Sequence, residues 1–215
     1  MTSQIKAQII DDENIGTEYK YSVKEYADYL LTNADADGTE IQKKYAAAAP
    51  LVMAMLNYGT YSQNYFGTNT DNPANAILTN EEKALDDVTD IEHTAPATNL
   101  PEGVTFASAT LSLKSVTTLS LFFKNTSAGD VTFKLGDETI TPVDNNGYLQ
   151  VRITGIKAKE LGSDFTVNVG DSGSVTFSPR NYCQLVLRGN YTNAHKDVVK
   201  ALYKYSQAAD TFFNS

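Results

Sequence analysis

The chain has 215 residues, enough for one large domain or two small ones each with its own core, and it carries 17 Lys plus Arg against 26 Asp plus Glu, a formal net charge of -9. With that charge and no concentrated basic patch, a phosphate backbone would be repelled, so nucleic acid is not an expected partner. The longest apolar runs fall well short of the roughly 20 residues that span a bilayer, so membrane insertion is not expected.

In chain order, Ile5, Ala7 and Ile9 alternate before the turn-forming DDEN, and a second extended piece ends at Tyr21. This predicts a strand or hairpin over residues 1–21. The opening MTSQIK shows neither the basic nor the apolar region of a secretory leader, and the compartment is not read from it. Ser22 with Glu25 makes a capping box, and Tyr21 with Tyr26 fits the accompanying hydrophobic staple, so a helix starts there. Val23, Tyr26, Ala27, Leu30 and Leu31 follow the spacing of one buried face, leaving Lys24, Glu25 and Asp28 to water.

The segment NADADGTEIQKK invites comparison with a calcium loop, because Asn33, Asp35, Asp37 and Gly38 occupy its first, third, fifth and sixth positions. The match fails at Glu40, where an apolar residue is usual, and at Lys44, where the bidentate carboxylate belongs. The favoured reading is a polar turn between helices with no metal or cofactor, a calcium site over residues 33–44 remaining the weaker alternative. Thr39 and Gln42 form a second capping box. Pro50 predicts a kink or restart, so Leu51 to Phe66 reads as a separate helix. Leu51, Ala54, Tyr58, Tyr61 and Tyr65 make one apolar stripe of it and Val52, Met55, Gly59 and Phe66 help make another. Asn57, Thr60 and Asn64 are left as a narrow polar edge.

EEKALDDVTD reads as the solvated face of a short helix, with Glu81, Glu82, Asp86 and Asp87 in water, in preference to a glycosidase carboxylate pair. From Val104 to Arg188 the apolar period falls to two, and VTFASATLSL, TTLSLFFKN, DVTFKLG, YLQVRITG, FTVNVG, SVTFS and NYCQLVLRG predict about seven strands of an antiparallel sandwich or barrel. Asn146-Gly147 is the strongest hairpin signal in the chain. Along YLQVRI, Leu149, Val151 and Ile153 share one face and Tyr148, Gln150 and Arg152 the other. Reading NYCQLVLRG as a strand likewise sets Tyr182, Gln184 and Arg188 opposite Cys183, Leu185 and Leu187, with Cys183 a buried small hydrophobe. A Tyr beside a Gln and an Arg suits a pyranose, whose CH face takes the ring and whose hydroxyls take the polar groups; packing or plain solvation of these faces is the plainer alternative.

The closing segment repeats an earlier one. LVMAMLNYGTYSQNYF, from Leu51 to Phe66, aligns without gaps with VVKALYKYSQAADTFF, from Val198 to Phe213, matching Val52 to Val199, Ala54 to Ala201, Tyr58 to Tyr205 and Phe66 to Phe213. In the second copy Val198, Leu202, Tyr205, Ala209 and Phe212 form the apolar stripe, with Lys200, Lys204 and Gln207 outward. Two related helices bracketing a β region predict an α+β chain. Residues 22–100 and 190–215 form one helical lobe, a β-sandwich lobe over 101–189 is inserted in it, and a ligand crevice is expected where lobes meet. His93 and His195 show no metal spacing and no nucleophile partner, and there is no HExxH, GxSxG or phosphate-cradling glycine loop, so no enzyme activity is expected.

The phrases YSVKEYADYLL, AMLNYGTYSQNYF followed by GTNTDNPAN, and VVKALYKYSQAADTFF resemble a module that recurs in large secreted and cell-surface proteins of gut anaerobic bacteria. The resemblance runs from about Ile5 to Phe213, and some members look like the starch-adherence proteins of amylosome-type complexes, which are non-catalytic and hold α-glucan at the cell surface. It implies an extracellular, starch-binding module, with other surface or scaffold proteins as further partners. One departure is the absence of Trp, the ring most used as a sugar platform, which 13 Tyr and 9 Phe would have to replace. The candidate carbohydrate-binding residues are Tyr148, Gln150, Arg152, Tyr182 and Gln184 from the β region, with Tyr65 and Asn69 where the helix Leu51 to Phe66 ends. The competing reading is a structural or protein-binding module with no glycan affinity.

Overall fold

The computed structural model describes residues 4–11, 14–85, 88, 97–113, 116–127 and 129–214. Helices combine with antiparallel sheets in an α+β chain that divides into two units. One comprises Met1–Asp86 with Asn193–Ser215, and the other comprises Asp87–Thr192.

In the first unit, β1 (Gln4–Asp11) and β2 (Asn14–Ser22) pair as a two-stranded antiparallel sheet. Helix α1 (Val23–Thr32) starts at the expected box: Glu25 N donates to Ser22 Oγ over 3.1 Å, and Ser22 N to Glu25 Oε2 over 2.6 Å. Its buried face is narrower than the spacing predicted. Ala27 and Leu30 are buried but Tyr26 is 55% exposed, and the Tyr21 side chain of the staple lies outside the described residues. Lys24, expected in water, instead donates from Nζ to Asn72 Oδ1 at 2.8 Å and to the Pro73 carbonyl at 3.1 Å.

Helix α2 (Glu40–Phe66) passes through Pro50 without a break, so the expected restart is corrected: its two parts are one helix. Strong helix formers, Ala46 to Ala49, precede the proline, and both flanks are held by packing. Tyr45 meets Tyr29 of α1 edge-on at 6.0 Å, and Leu56 joins Ala27 and Leu78 in a buried cluster. That tertiary support outweighs the hydrogen bond a proline cannot donate.

Two of the three residues of the polar edge of α2 are buried, while Asn64 is exposed. Asn57 is 3% and Thr60 8% exposed. A buried polar group must be hydrogen-bonded, and these serve the chain that returns along the helix. Asn57 Nδ2 donates to the Glu82 carbonyl at 2.7 Å, Asn75 Nδ2 donates to Asn57 Oδ1 at 2.8 Å, and Asn75 N donates to Thr60 Oγ1 at 2.9 Å. One turn further on, Gln63 Nε2 donates to the Asn69 and Asn72 carbonyls, while its Oε1 accepts from Ala74 N. The returning segment ends in a single turn, α3 (Asn80–Lys83), where Glu81 and Glu82 are exposed; Asp86 and Asp87 lie outside the described residues.

Helix α5 (Asn193–Asn214) packs on α2. The rings of Tyr58 and Tyr205 stack 5.8 Å apart with planes 6° from parallel, and Tyr65 lies 4.7 Å from His195. Going up α2 from Tyr58 to Tyr65 means going down α5 from Tyr205 to His195, so the helices are antiparallel. Their contact centres on two positions that are equivalent in the repeat.

The second unit is a two-layer sandwich. One sheet orders β3 (Val104–Leu113), β4 (Thr117–Asn125), β8 (Tyr148–Thr154) and β7 (Val143–Asn145). The other orders β10 (Gly173–Phe177), β9 (Phe165–Val169), β5 (Phe133–Leu135) and β6 (Glu138–Ile140). The short β6 and β7 were not among the expected strands. Leu119, Leu121, Phe123, Val151 and Ile153 face Phe133, Val167, Val169, Val175 and Phe177, all buried. Phe123 meets Phe133 at 4.9 Å, and Phe106 bridges Phe123 and Phe177 at 5.6 and 5.9 Å, joining the layers. Asn146 and Gly147, at φ 54° and 82°, make the predicted turn between β7 and β8; two successive positive φ values fit the type I′ geometry that Asn-Gly favours.

NYCQLVLRG is not a strand. It lies in α4 (Pro179–Arg188), with Ser178 as N-cap, Pro179 in the first turn and Asn181 Oδ1 accepting from Ser178 N at 2.7 Å. Burial separates the two periods: Cys183, Val186 and Leu187 are buried at helical spacing, whereas Leu185, which a strand would have buried, is 52% exposed.

The Asn57 network makes a stability prediction. Asn57→Ala strands the Asn75 amide and the Glu82 carbonyl and is expected to cost about 2 kcal/mol, seen as a lower urea midpoint of the helical circular-dichroism signal. Ser62→Ala, on the same helix, removes a buried hydroxyl that has no hydrogen-bond partner among the described residues and is expected to change stability by less than about 0.5 kcal/mol.

Candidate functional site

Strand β8 separates its side chains as the alternation predicts. Val151 and Ile153 enter the sandwich core, while Tyr148 and Arg152 are exposed and Gln150 is half-buried on the opposite face. Pairing with β4 sets Ser120 across from Arg152 and Phe122 across from Gln150. Gln150 is held from two sides: its Nε2 donates to Ser120 Oγ at 3.0 Å, and its Oε1 accepts from Asn145 Nδ2 at 3.4 Å. Ser120 and Thr118 are buried, so the accessible part of this face lies around Tyr148, Gln150 and Arg152, with the half-buried Phe122 and, on β7, the exposed Val143.

Phe122 was missed by the sequence reading. The signal was present, because Leu119, Leu121 and Phe123 alternate inward and leave Phe122 outward. The arrangement offers an exposed phenol ring, a fixed carboxamide and a guanidinium at alternate positions of one strand, roughly 7 Å apart. That is a surface for stacking and multiple hydrogen bonds.

The remaining candidates distribute differently. Because α4 is a helix, Tyr182 and Gln184 do not flank a sheet face; Gln184 is 3% exposed and cannot meet a ligand from the surface, and Tyr182 is half-buried. Tyr65 and Asn69 belong to the helical unit. Tyr65 is 38% exposed, between Phe66 at 4.9 Å and His195 at 4.7 Å. Asn69 takes the left-handed backbone conformation at φ 53°, and its carbonyl accepts from Gln63. Burial pushes the His195 imidazole below its ordinary range.

Within the former calcium comparison, Asp35 Oδ1 caps its own turn by accepting from Asp37 N at 3.0 Å. Among the described residues no group of three or more His, Cys, Asp or Glu is placed to hold a metal ion, and no helix is long and apolar enough to cross a membrane. His93 lies outside the described residues. Set against protein-family models, curated proteins and solved structures, the chain matches none.

Cys183 is buried in α4, and its thiol is pushed up to about 12 by that burial. Alkylation needs the thiolate. Iodoacetamide at pH 8 is expected to leave the folded chain unmodified and to label one site in 8 M urea, as read by intact mass; rapid labelling of the folded chain would contradict the placement of this residue.

Proposed function

We propose that the chain is a non-catalytic carbohydrate-binding module, with an α-1,4-glucan such as starch as its ligand, working on the outside of a bacterial cell. The observation that carries this reading is the β8 face, where Tyr148 stands exposed beside Gln150 and Arg152. A pyranose lays its CH face on the phenol ring and gives its hydroxyls to the amide and the guanidinium. Gln150 is already oriented by Ser120 and Asn145, which lowers the entropy lost on binding. Phe122 extends the apolar part of the platform. The choice of α-glucan rests on the resemblance of the helical phrases to starch-adherence modules.

Replacing the ring tests the site. Tyr148→Ala is expected to weaken retention in amylopectin gels at least about fivefold, corresponding to roughly 1 kcal/mol of stacking. Unchanged retention in a chain that binds would remove the β8 face from the account.

A second reading, a protein-binding module in a long surface protein, is favoured by a different patch. Tyr26 and Tyr29, one turn apart on α1, are 55% and 53% exposed, and Tyr29 lies edge-on to Tyr45 of α2 at 6.0 Å. Grouped apolar exposure of this kind marks contact surfaces between proteins.

A further inference from the structure

We infer that the end of α2 forms a second pyranose-binding site, lying wholly within the helical unit, so that the chain is bivalent for glycan. This rests on the carbohydrate reading above but uses none of the β8 residues.

The argument starts from Phe66, the last residue of α2, which is 66% exposed and is the most exposed of the large hydrophobic side chains among the described residues. An apolar ring left in water at a helix end costs hydration free energy, so what surrounds it matters. One neighbour is another ring: Tyr65 stands edge-on to it at 4.9 Å and is backed by His195 at 4.7 Å, so the platform is buttressed by the first turns of α5. The other neighbour is a polar loop. Gly67, at φ 63°, turns the chain sharply, and Thr68, Asn69, Thr70, Asp71 and Asn72 follow, all exposed.

This loop is fixed by its backbone. Thr68 N donates to the Gln63 carbonyl at 3.0 Å, and Gln63 Nε2 donates to the carbonyls of Asn69 at 3.0 Å and Asn72 at 3.1 Å. Lys24 clamps the far end through Asn72 Oδ1 and the Pro73 carbonyl. The main-chain bonds are thus spent on holding the loop, while the hydroxyls of Thr68 and Thr70, the amide of Asn69 and the carboxylate of Asp71 are left at the surface. Exposed hydroxyl, amide and carboxylate groups on a backbone-held loop that follows directly on an exposed ring suit a sugar: CH groups on the ring, hydroxyls shared among short polar side chains that lose little entropy. A protein partner recognised through apolar area alone would have no use for that polar rim.

Two weak sites on one chain matter on a polysaccharide, where each adds its own contact with the polymer. The test is a titration of the full-length chain with maltoheptaose, following backbone amide shifts. Wild type is expected to show two separate groups of shifted amides, one over residues 66–72 and one over residues 148–152. Phe66→Ala, at a surface position, is expected to abolish the first group and leave the second, and Tyr148→Ala to do the reverse. Shifts confined to residues 148–152, or a Phe66→Ala chain that titrates like wild type, would overturn the second site and leave the carbohydrate reading standing. Shifts lost everywhere in Phe66→Ala but retained in Tyr148→Ala would leave a single site on the helical unit and overturn bivalency. Absence of any shift up to 20 mM, together with no retention in amylopectin gels, would remove both.

Discussion

A carboxamide buried on a helix must find partners for its own donors and acceptor, and the helical unit is organised around the place where Asn57 does so. Asn57, Thr60 and Gln63 lie one turn apart along α2, and each takes hold of backbone or amide groups in the returning segment between Gly67 and Lys83. Leaving the buried groups of Asn57, Thr60 and Asn75 unpaired would cost about 1–3 kcal/mol each, which holds the segment in one register against the helix. That register places Leu78 in the cluster with Ala27 and Leu56, and it holds the loop beside Phe66.

A neighbouring side of α2 carries the contact between the repeats. When two similar helices pack antiparallel, equivalent residues meet only at the local two-fold axis relating them. The stacking of Tyr58 on Tyr205 puts that axis at the centre of the repeated phrase. Such a ring pair contributes about 0.5–1.5 kcal/mol beyond area burial. The repeat therefore encodes a self-complementary contact, with the β unit lying in sequence between its two halves.

Much of this architecture was legible, and the failures have definite physical causes. The boxes at Ser22 and Thr39 and the Asn146-Gly147 turn were read because their chemistry is local: the residues that decide the conformation are three or fewer positions apart. The restart at Pro50 was misjudged because the proline's local penalty is real but is outweighed by packing on both flanks. Asn57 and Thr60 were legible as a polar edge but their partners were not, because the returning segment that makes their burial tolerable is distant in sequence. The segment from Asn181 to Arg188 was misread because Cys183, Val186 and Leu187 also fit a helical period, and the deciding signal, Ser178-Pro179 ahead of it, is a cap with Asn181 where Glu or Gln is usual. For the site, alternation located Tyr148, Gln150 and Arg152 on one face, but that same misreading added Gln184, which is buried.

The ring-and-amide face on the sandwich and the ring-and-loop patch on the helical unit are both suited to shallow, additive contacts with a polymer. On the proposed reading the chain holds an α-glucan. Affinity electrophoresis of the wild-type chain through gels containing amylopectin, xylan, β-glucan or pectin, with a non-binding protein as mobility reference, tests this most directly. Retardation in amylopectin and free migration in the other three is the predicted result. Free migration in all four would contradict the account and favour a protein-contact role for the exposed aromatic residues.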